Sequence, residues 1–373
     1  MLTLATGACA SEAAGDAGMN KFVSDLMSRM TLQEKIGQLN LPSYSDLRSG
    51  VVANNDTHNR IRKGLVGGVF NIKGAERILK LQKMAVEESR LGIPLLIGAD
   101  VIHGYETIFP IPLGMSCSWD TVAARKSAEV AAAEASAAGI NWTFNPMVDI
   151  CRDARWGRIA ECNGEDPYLG GALTKAYVNG YQGSDLSDEK SILACVKHFA
   201  LYGASESGLD YNYVDMSRVA MFNDYFPPYK AAVDAGAGSL MTSFNVVDRV
   251  PATANKWLIT DVLRNRWGFD GLVVSDYNGI GEMTTLGIGP QPLCGEMAIN
   301  AGLDMDMVSE AYLLNLENLL KEGKVSLDKI DNACRRVLEA KYKLGLFRDP
   351  YRYCNIQRAD NELLFIFCDR KEC

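Results

Sequence analysis

Residues 267–280 read WGFDGLVVSDYNGI. Gly271 opens a short apolar run, Leu272 to Val274, which closes on Ser275 and Asp276 before Tyr277 and Asn278 lead out. A run this short, bounded by turn signals, reads as a strand buried on both faces. Similar runs recur along the chain. The strand candidates are Ile36–Leu39, Val66–Asn71, Leu95–Asp100, Asn141–Asn145, Ile192–Phe199, Leu240–Asn245, Leu272–Asp276 and Leu303–Met307. Between most of them lie helix-like segments such as Ala75–Arg90, Thr121–Ala138, Asn255–Arg266 and Glu310–Glu322. Thr31-Leu32-Gln33-Glu34 is a capping-box sequence, and the helix it starts competes with the first strand candidate. Strands alternating with helices imply parallel strands and right-handed crossovers. Eight such units predict an α/β fold, a closed (β/α)8 TIM-like barrel in a single domain; the alternative is an open doubly wound sheet. No G-x-G-x-x-G follows the first strands, which argues against a dinucleotide-binding sheet. Ser326–Leu344 reads as a last amphipathic helix, with Gly345 placed just past its end.

Composition bounds the function. The chain has 373 residues, 47% hydrophobic and 23% charged, which is globular usage and long enough for a large core. A net charge of −8 disfavours nucleic acid as a partner. The three histidines, His58, His103 and His198, are never spaced i, i+3 or i, i+4, so no metal site is built from neighbouring histidines. Ten cysteines without a single C-x-x-C do not form a disulfide framework. No apolar run is long enough for a membrane span. Ala8-Cys9-Ala10, after the apolar Leu2–Ala5, fits the end of an export signal, although a charged n-region is missing. A periplasmic or secreted protein is expected. The domain reading is 1–18 as signal remnant or disordered N-terminus, 19–353 as the barrel, and 354–373 as a divergent tail.

In a barrel, reactive groups come from the C-terminal ends of strands. Here those ends carry Asp100, Lys197, His198, Asn245, Asp276, Asp304 and Asp306. Asp276, beside the aromatic Tyr277, suits a nucleophile attacking a sugar; the alternative is an Asp capping the next helix. Lys197 and His198 are adjacent and point to opposite faces of a regular strand unless it bulges. Both could donate hydrogen bonds to sugar hydroxyls, or Lys197 could form a Schiff base as in barrel lyases. A third reading is a structural lysine paired with a rim carboxylate. His103 could orient Asp100. The stretch 145–169, NPMVDICRDARWGRIAECNGEDPYL, predicts a rigid loop with Arg155 and Arg158 in ion pairs. Asp149, Asp153, Glu161, Glu165 and Asp166 are the available partners. The fork of Arg158 could also hold a vicinal diol.

That stretch, together with GADVIHGYETIFPIPLG (98–114), KHFALYG (197–203), NDYFPPYKAAVDAGAGSLMTSFN (223–245) and the segment at 267–280, resembles the N-terminal barrel of glycoside hydrolase family 3, the bacterial β-glucosidase and β-xylosidase type. The resemblance covers about Met19 to Tyr353. It implies retaining hydrolysis of terminal β-glycosidic bonds with Asp276 as nucleophile. It also implies that Asp100, Arg158, Lys197 and His198 bind the sugar in the cleavage subsite, and that Met241, Phe244 and Tyr277 line the pocket. β-Linked glucosides are the expected ligands, and no metal or cofactor is implied. In two-domain members the acid/base is a Glu on a second domain. In single-barrel N-acetylhexosaminidases it is an Asp-His pair on the loop after K-H-F. Here that loop, ALYGASESGLDYNYVD (200–215), has no His. After Asn355 the sequence departs from the family, as in a truncated or frame-shifted gene. Impaired turnover, or a sugar-binding module without catalysis, is therefore an expectation alongside hydrolysis by a β-glucosidase, β-xylosidase or N-acetylhexosaminidase.

Overall fold

The computed structural model describes residues 5–44 and 56–359, with side chains from residue 17 onward. Eight short strands form the centre: β1 (Asn40–Leu41), β2 (Gly68–Phe70), β3 (Leu96–Ala99), β4 (Trp142–Thr143), β5 (Leu193–Phe199), β6 (Ser239–Thr242), β7 (Leu272–Val274) and β8 (Asp306–Met307). Strands β2 to β7 pair in chain order, every pair parallel. Three further parallel contacts close the ring. β1 pairs with β8, Ser43 bridges to Phe70 of β2, and Val274 of β7 bridges to Met305. Ring order equals chain order, so each crossover runs to the adjacent strand, as a (β/α)8 barrel requires.

Helices fill the crossovers because their apolar stripes need the outer face of the sheet. Ala75–Glu87 lies between β2 and β3, Thr121–Ala137 between β3 and β4, and Pro167–Gln182 between β4 and β5. Pro227–Asp234, Trp257–Arg266 and Gln291–Ala301 follow β5, β6 and β7. Trp257–Arg266, the segment read as a plain helix, is wound as a π-helix. The last helix, Leu327–Lys343, turns its Ile330, Ala333, Val337 and Leu338 inward, and Gly345 beyond it has φ 72°, a conformation glycine adopts without a Cβ clash. The barrel interior is filled by large rings. Gly98 of β3 faces Phe144, and a Cβ there would sit 2.5 Å from its Cζ.

The first strand candidate is corrected. Ile36 to Gln38 belong to the helix Leu32–Gln38, and the strand starts two residues later at Asn40. The cap decides it: Thr31 Oγ1 accepts from Glu34 N at 3.2 Å, and Glu34 Oε2 accepts from Thr31 N at 2.8 Å. The helix Ala5–Ser28 runs through part of the stretch read as an export-signal remnant, of which residues 1–4 lie outside the described residues. Phe22 of that helix packs at a tilt against Tyr342 and Phe347, at ring distances of 5.4 and 4.8 Å. Of the tail 354–373, residues 360–373 lie outside the described residues. Among the described residues, no helix is long and apolar enough to cross a membrane.

Candidate active site

The site stands at the C-terminal rim of β3, β5, β6 and β7. Its geometry begins with a defect in β5. Val196 pairs with Leu240 and Phe199 with Thr242, so β5 advances three residues while β6 advances two. This bulge breaks the alternation of a regular strand. Lys197 Nζ reaches Asp100 Oδ1 at 2.7 Å, while the adjacent His198 Nε2 reaches to 3.5 Å from Asp276 Oδ2. Lys197 is buried; Asp100, just past β3, is 51% exposed, so the lysine is held from below and the carboxylate stays open to a ligand.

Behind His198 lies a second carboxylate. Asp149 Oδ2 accepts from His198 N at 3.0 Å and lies 2.9 Å from His198 Nδ1, while Tyr229 Oη lies 2.7 Å from Asp149 Oδ1 and 2.6 Å from the His198 carbonyl, both within reach of its one proton. Both side chains are buried. Burial pushes the Asp149 carboxyl up to about 6, against the opposing hydrogen bonds from Tyr229 and His198. Burial likewise pushes His198 well below its ordinary value, and the Arg158 charge adds to this.

Asp276 Oδ1 accepts from Tyr277 N at 2.6 Å, while its Oδ2 is buried and without a hydrogen-bond partner. The 3.5 Å approach of His198 is too long for a good hydrogen bond. The next helix, Gly279–Thr285, has Asn278 at its N-cap, and no side chain caps it, so Asp276 is not spent as a cap. A buried polar atom left unpaired costs free energy and marks a place where a ligand atom or a bond is expected.

Arg158 comes from the loop between β4 and β5. Its Nε and Nη2 both hold Glu161, at 2.8 Å each. Burial opposes its charge, but Glu161, Asp276 and Asp149 outweigh this and raise its pKa. Its guanidinium lies over the Tyr202 ring at 5.8 Å. The wall continues through Tyr202, Phe244 and Tyr211, with Phe244 and Tyr211 rings 4.5 Å apart. Trp156 Nε1 donates to Asp210 Oδ1 at 2.9 Å and ties this loop to the one after β5. Met241 is buried at the end of β6, in register with Val274. Tyr277 is 47% exposed and meets Phe70 edge-on.

Residues 31–340 match the model of the glycosyl hydrolase family 3 N-terminal domain. The chain belongs to glycosyl hydrolase family 3. It is 44% identical over 340 residues to a periplasmic β-glucosidase of Salmonella typhimurium, covering 91% of this chain and 44% of that protein. A β-xylosidase of Formosa agariphila is 34% identical over 294 residues, covering 73% and 41%. Among solved structures, a β-glucosidase from Listeria innocua in complex with glucose superposes with a TM-score of 0.85 at 42% identity, covering 91% and 49%. The chain thus spans less than half the length of these family 3 relatives.

This family 3 barrel brings Asp100, Lys197, His198 and Asp276 together at one rim, as the strand ends suggested, and the loop after β4 adds Arg158. Lys197 does pair with a rim carboxylate, and that carboxylate is Asp100. The predicted ion pairs are Arg155 with Asp153 and Arg158 with Glu161. Asp166 instead caps the helix Pro167–Gln182. His103 Nδ1 lies 3.2 Å from the Phe109 carbonyl of its own loop. Asp304 and Asp306 are tied into the packing of β7, β8 and their helices. Two residues behind His198 had no such place in the sequence expectations: Asp149, weighed there only as an arginine partner, and Tyr229. Tyr229 sits on a crossover helix, where nothing in the local sequence distinguishes it from core.

Proposed function

We propose that the barrel carries the sugar subsite and nucleophile of a retaining, exo-acting β-glucosidase. The observation that carries this reading is the unpartnered, buried Oδ2 of Asp276 at the mouth of the barrel, facing His198 and flanked by the Lys197–Asp100 pair. That oxygen bonds to the anomeric carbon as the glycosidic C–O bond breaks, giving a glycosyl ester on Asp276. Water then attacks the same carbon and releases Asp276 as a carboxylate. Asp100, Lys197, His198 and Arg158 bind the sugar hydroxyls, and Met241, Phe244 and Tyr277 shape the pocket. The leaving oxygen needs a proton in the first step, and none of these residues is assigned to supply it. Glu161 and Asp210, two loop carboxylates beside the wall, are already held by Arg158 and Trp156. Turnover of natural glycosides therefore depends on a proton donor other than these residues, while substrates with good leaving groups label Asp276 without one. We also infer export, in keeping with the periplasmic relative.

The test is intact-protein mass spectrometry after incubation with 2-deoxy-2-fluoro-β-glucosyl fluoride. A single glycosyl adduct on the unmodified chain, absent from Asp276→Ala, is the expected result. No adduct, or one that persists in the variant, overturns the nucleophile. A second reading, a β-xylosidase, is favoured by the Formosa relative. Faster labelling by the corresponding xylosyl fluoride would select it.

A further inference from the structure

Asp276, His198 and Asp149 form a row in which one imidazole stands between two carboxylates. Nδ1 is 2.9 Å from Asp149 and Nε2 is 3.5 Å from Asp276. A neutral imidazole donates from only one nitrogen. If the proton sits on Nδ1 and Asp149 is a bare carboxylate, the Nε2 lone pair points at the Asp276 oxygen, which is already unpaired. One further proton removes this conflict. It makes the imidazole doubly protonated against the Asp149 carboxylate, or it makes Asp149 a carboxylic acid donating to Nδ1. Both arrangements leave Nε2–H pointing at Asp276.

We propose that Asp149 is a positioning residue, which shares one proton with His198 and so makes the imidazole present Nε2–H to Asp276 and to the sugar subsite. This inference rests on Asp276 being the nucleophile. The proton is shared because neither partner holds a charge alone in this environment. Both side chains are buried, so an isolated imidazolium or carboxylate is costly, whereas the neutral pair is not. Among the described residues, the other ionisable groups that face the row are Arg158, Lys197, Glu161 and Tyr202 around His198, Tyr229 against Asp149, the Cys151 and Cys162 thiols beside Asp149, and Tyr211 and Cys195 near Asp276. When Asp276 attacks, a hydrogen bond from Nε2–H steadies the carboxylate oxygen in line with the anomeric carbon. It survives in the glycosyl ester, where a carboxyl oxygen still accepts.

Asp149→Asn is diagnostic because of the backbone. His198 N–H donates to the same oxygen that faces Nδ1. An amide NH2 cannot take that place against a second N–H donor, so the Asn oxygen faces His198. It then fixes the proton on Nδ1 and turns the Nε2 lone pair towards Asp276, the wrong tautomer in an intact fold.

The experiment measures the rate of adduct formation with 2-deoxy-2-fluoro-β-glucosyl fluoride against pH for the full chain, Asp149→Asn and Tyr229→Phe. Fluoride departs without a proton, so an alkaline fall in rate does not come from a leaving-group acid. The unmodified chain is expected to lose rate as pH rises and the shared proton leaves. Asp149→Asn is expected to react about 100-fold slower, with the inhibitor concentration for half-maximal rate nearly unchanged and no alkaline fall. Tyr229→Phe removes a donor that favours the Asp149 carboxylate, which strengthens proton binding and moves the alkaline fall to higher pH. If Asp149→Asn does not fold, the Tyr229→Phe shift decides the matter alone. A rate for Asp149→Asn within about twofold of the unmodified chain, or an alkaline fall unmoved by Tyr229→Phe, overturns the inference while leaving the nucleophile standing. No adduct on the unmodified chain overturns both.

Discussion

Asp276, just past the end of β7, and Asp304, bonded to Val273 in its middle, are buried carboxylates with opposite surroundings. Asp304 Oδ2 accepts from Arg264 Nη2 at 2.6 Å and from Val273 N at 2.8 Å, and its Oδ1 accepts from Arg336 Nη1 at 2.8 Å. Its charge is met by two guanidiniums, and one backbone amide of the strand is met as well. Asp276 has one backbone donor for Oδ1 and none for Oδ2. A saturated carboxylate locks a helix, a strand and the last helix together. An unsaturated one at a strand end is held in position while one oxygen stays without a hydrogen-bond partner. Asp306 belongs with Asp304: Ser309 Oγ donates to its Oδ1 at 2.5 Å and Tyr312 N to its Oδ2 at 3.2 Å.

The comparison breaks first if Asp276 can be replaced without loss. Asp276→Asn should cut the rate of covalent labelling by at least about 1,000-fold, since the amide is a poor nucleophile. Its unfolding free energy should stay within about 1 kcal/mol of the unmodified chain, measured by urea titration. Asp304→Ala should do the reverse. It leaves Arg264 buried without its partner and should cost about 3–5 kcal/mol in the same titration. The labelling rate of the molecules that remain folded should not change.

A pH titration of stability tests the saturated carboxylate Asp306. Burial raises the Asp306 carboxyl from 3.8 to about 6, with the Ser309 and Tyr312 hydrogen bonds opposing. Between those values the folded chain binds more protons than the unfolded chain, so stability falls as pH rises from about 4 to 6. Asp306→Asn should flatten this slope by up to about 3 kcal/mol across the window. The smallest effect belongs to the surface. Arg155 is 70% exposed in its pair with Asp153, and Arg155→Ala should leave both the unfolding midpoint and the labelling rate unchanged.

These contrasts separate what was legible in the residues from what was not. Seven of the eight strand candidates overlap the observed strands, because a buried parallel strand is a short apolar run between turn residues and needs no tertiary knowledge to be seen. The eighth, Ile36–Leu39, fails because the same apolar residues suit a helix, and the Thr31–Glu34 cap starts one. Asp276, Asp100, Lys197 and His198 stood out because polar residues end apolar runs. Asp304 and Asp306 stood out equally. Nothing local to LDMDM distinguishes a carboxylate met by Arg264 and Arg336, which lie 40 and 32 residues away in sequence, from one left open.

The sequence by itself determined the alternation of strand and helix, the ring of polar strand ends and the family, since these depend on periodicity and on motifs that are contiguous in the chain. Only the tertiary structure decided which carboxylate keeps a free oxygen, that the bulge in β5 sends Lys197 to Asp100 and His198 towards Asp276, and that Asp149 and Tyr229 stand behind the imidazole. The reason is physical. A hydrogen-bond balance is settled by every donor that the closed barrel brings within about 3 Å, and those donors come from elements far apart along the chain.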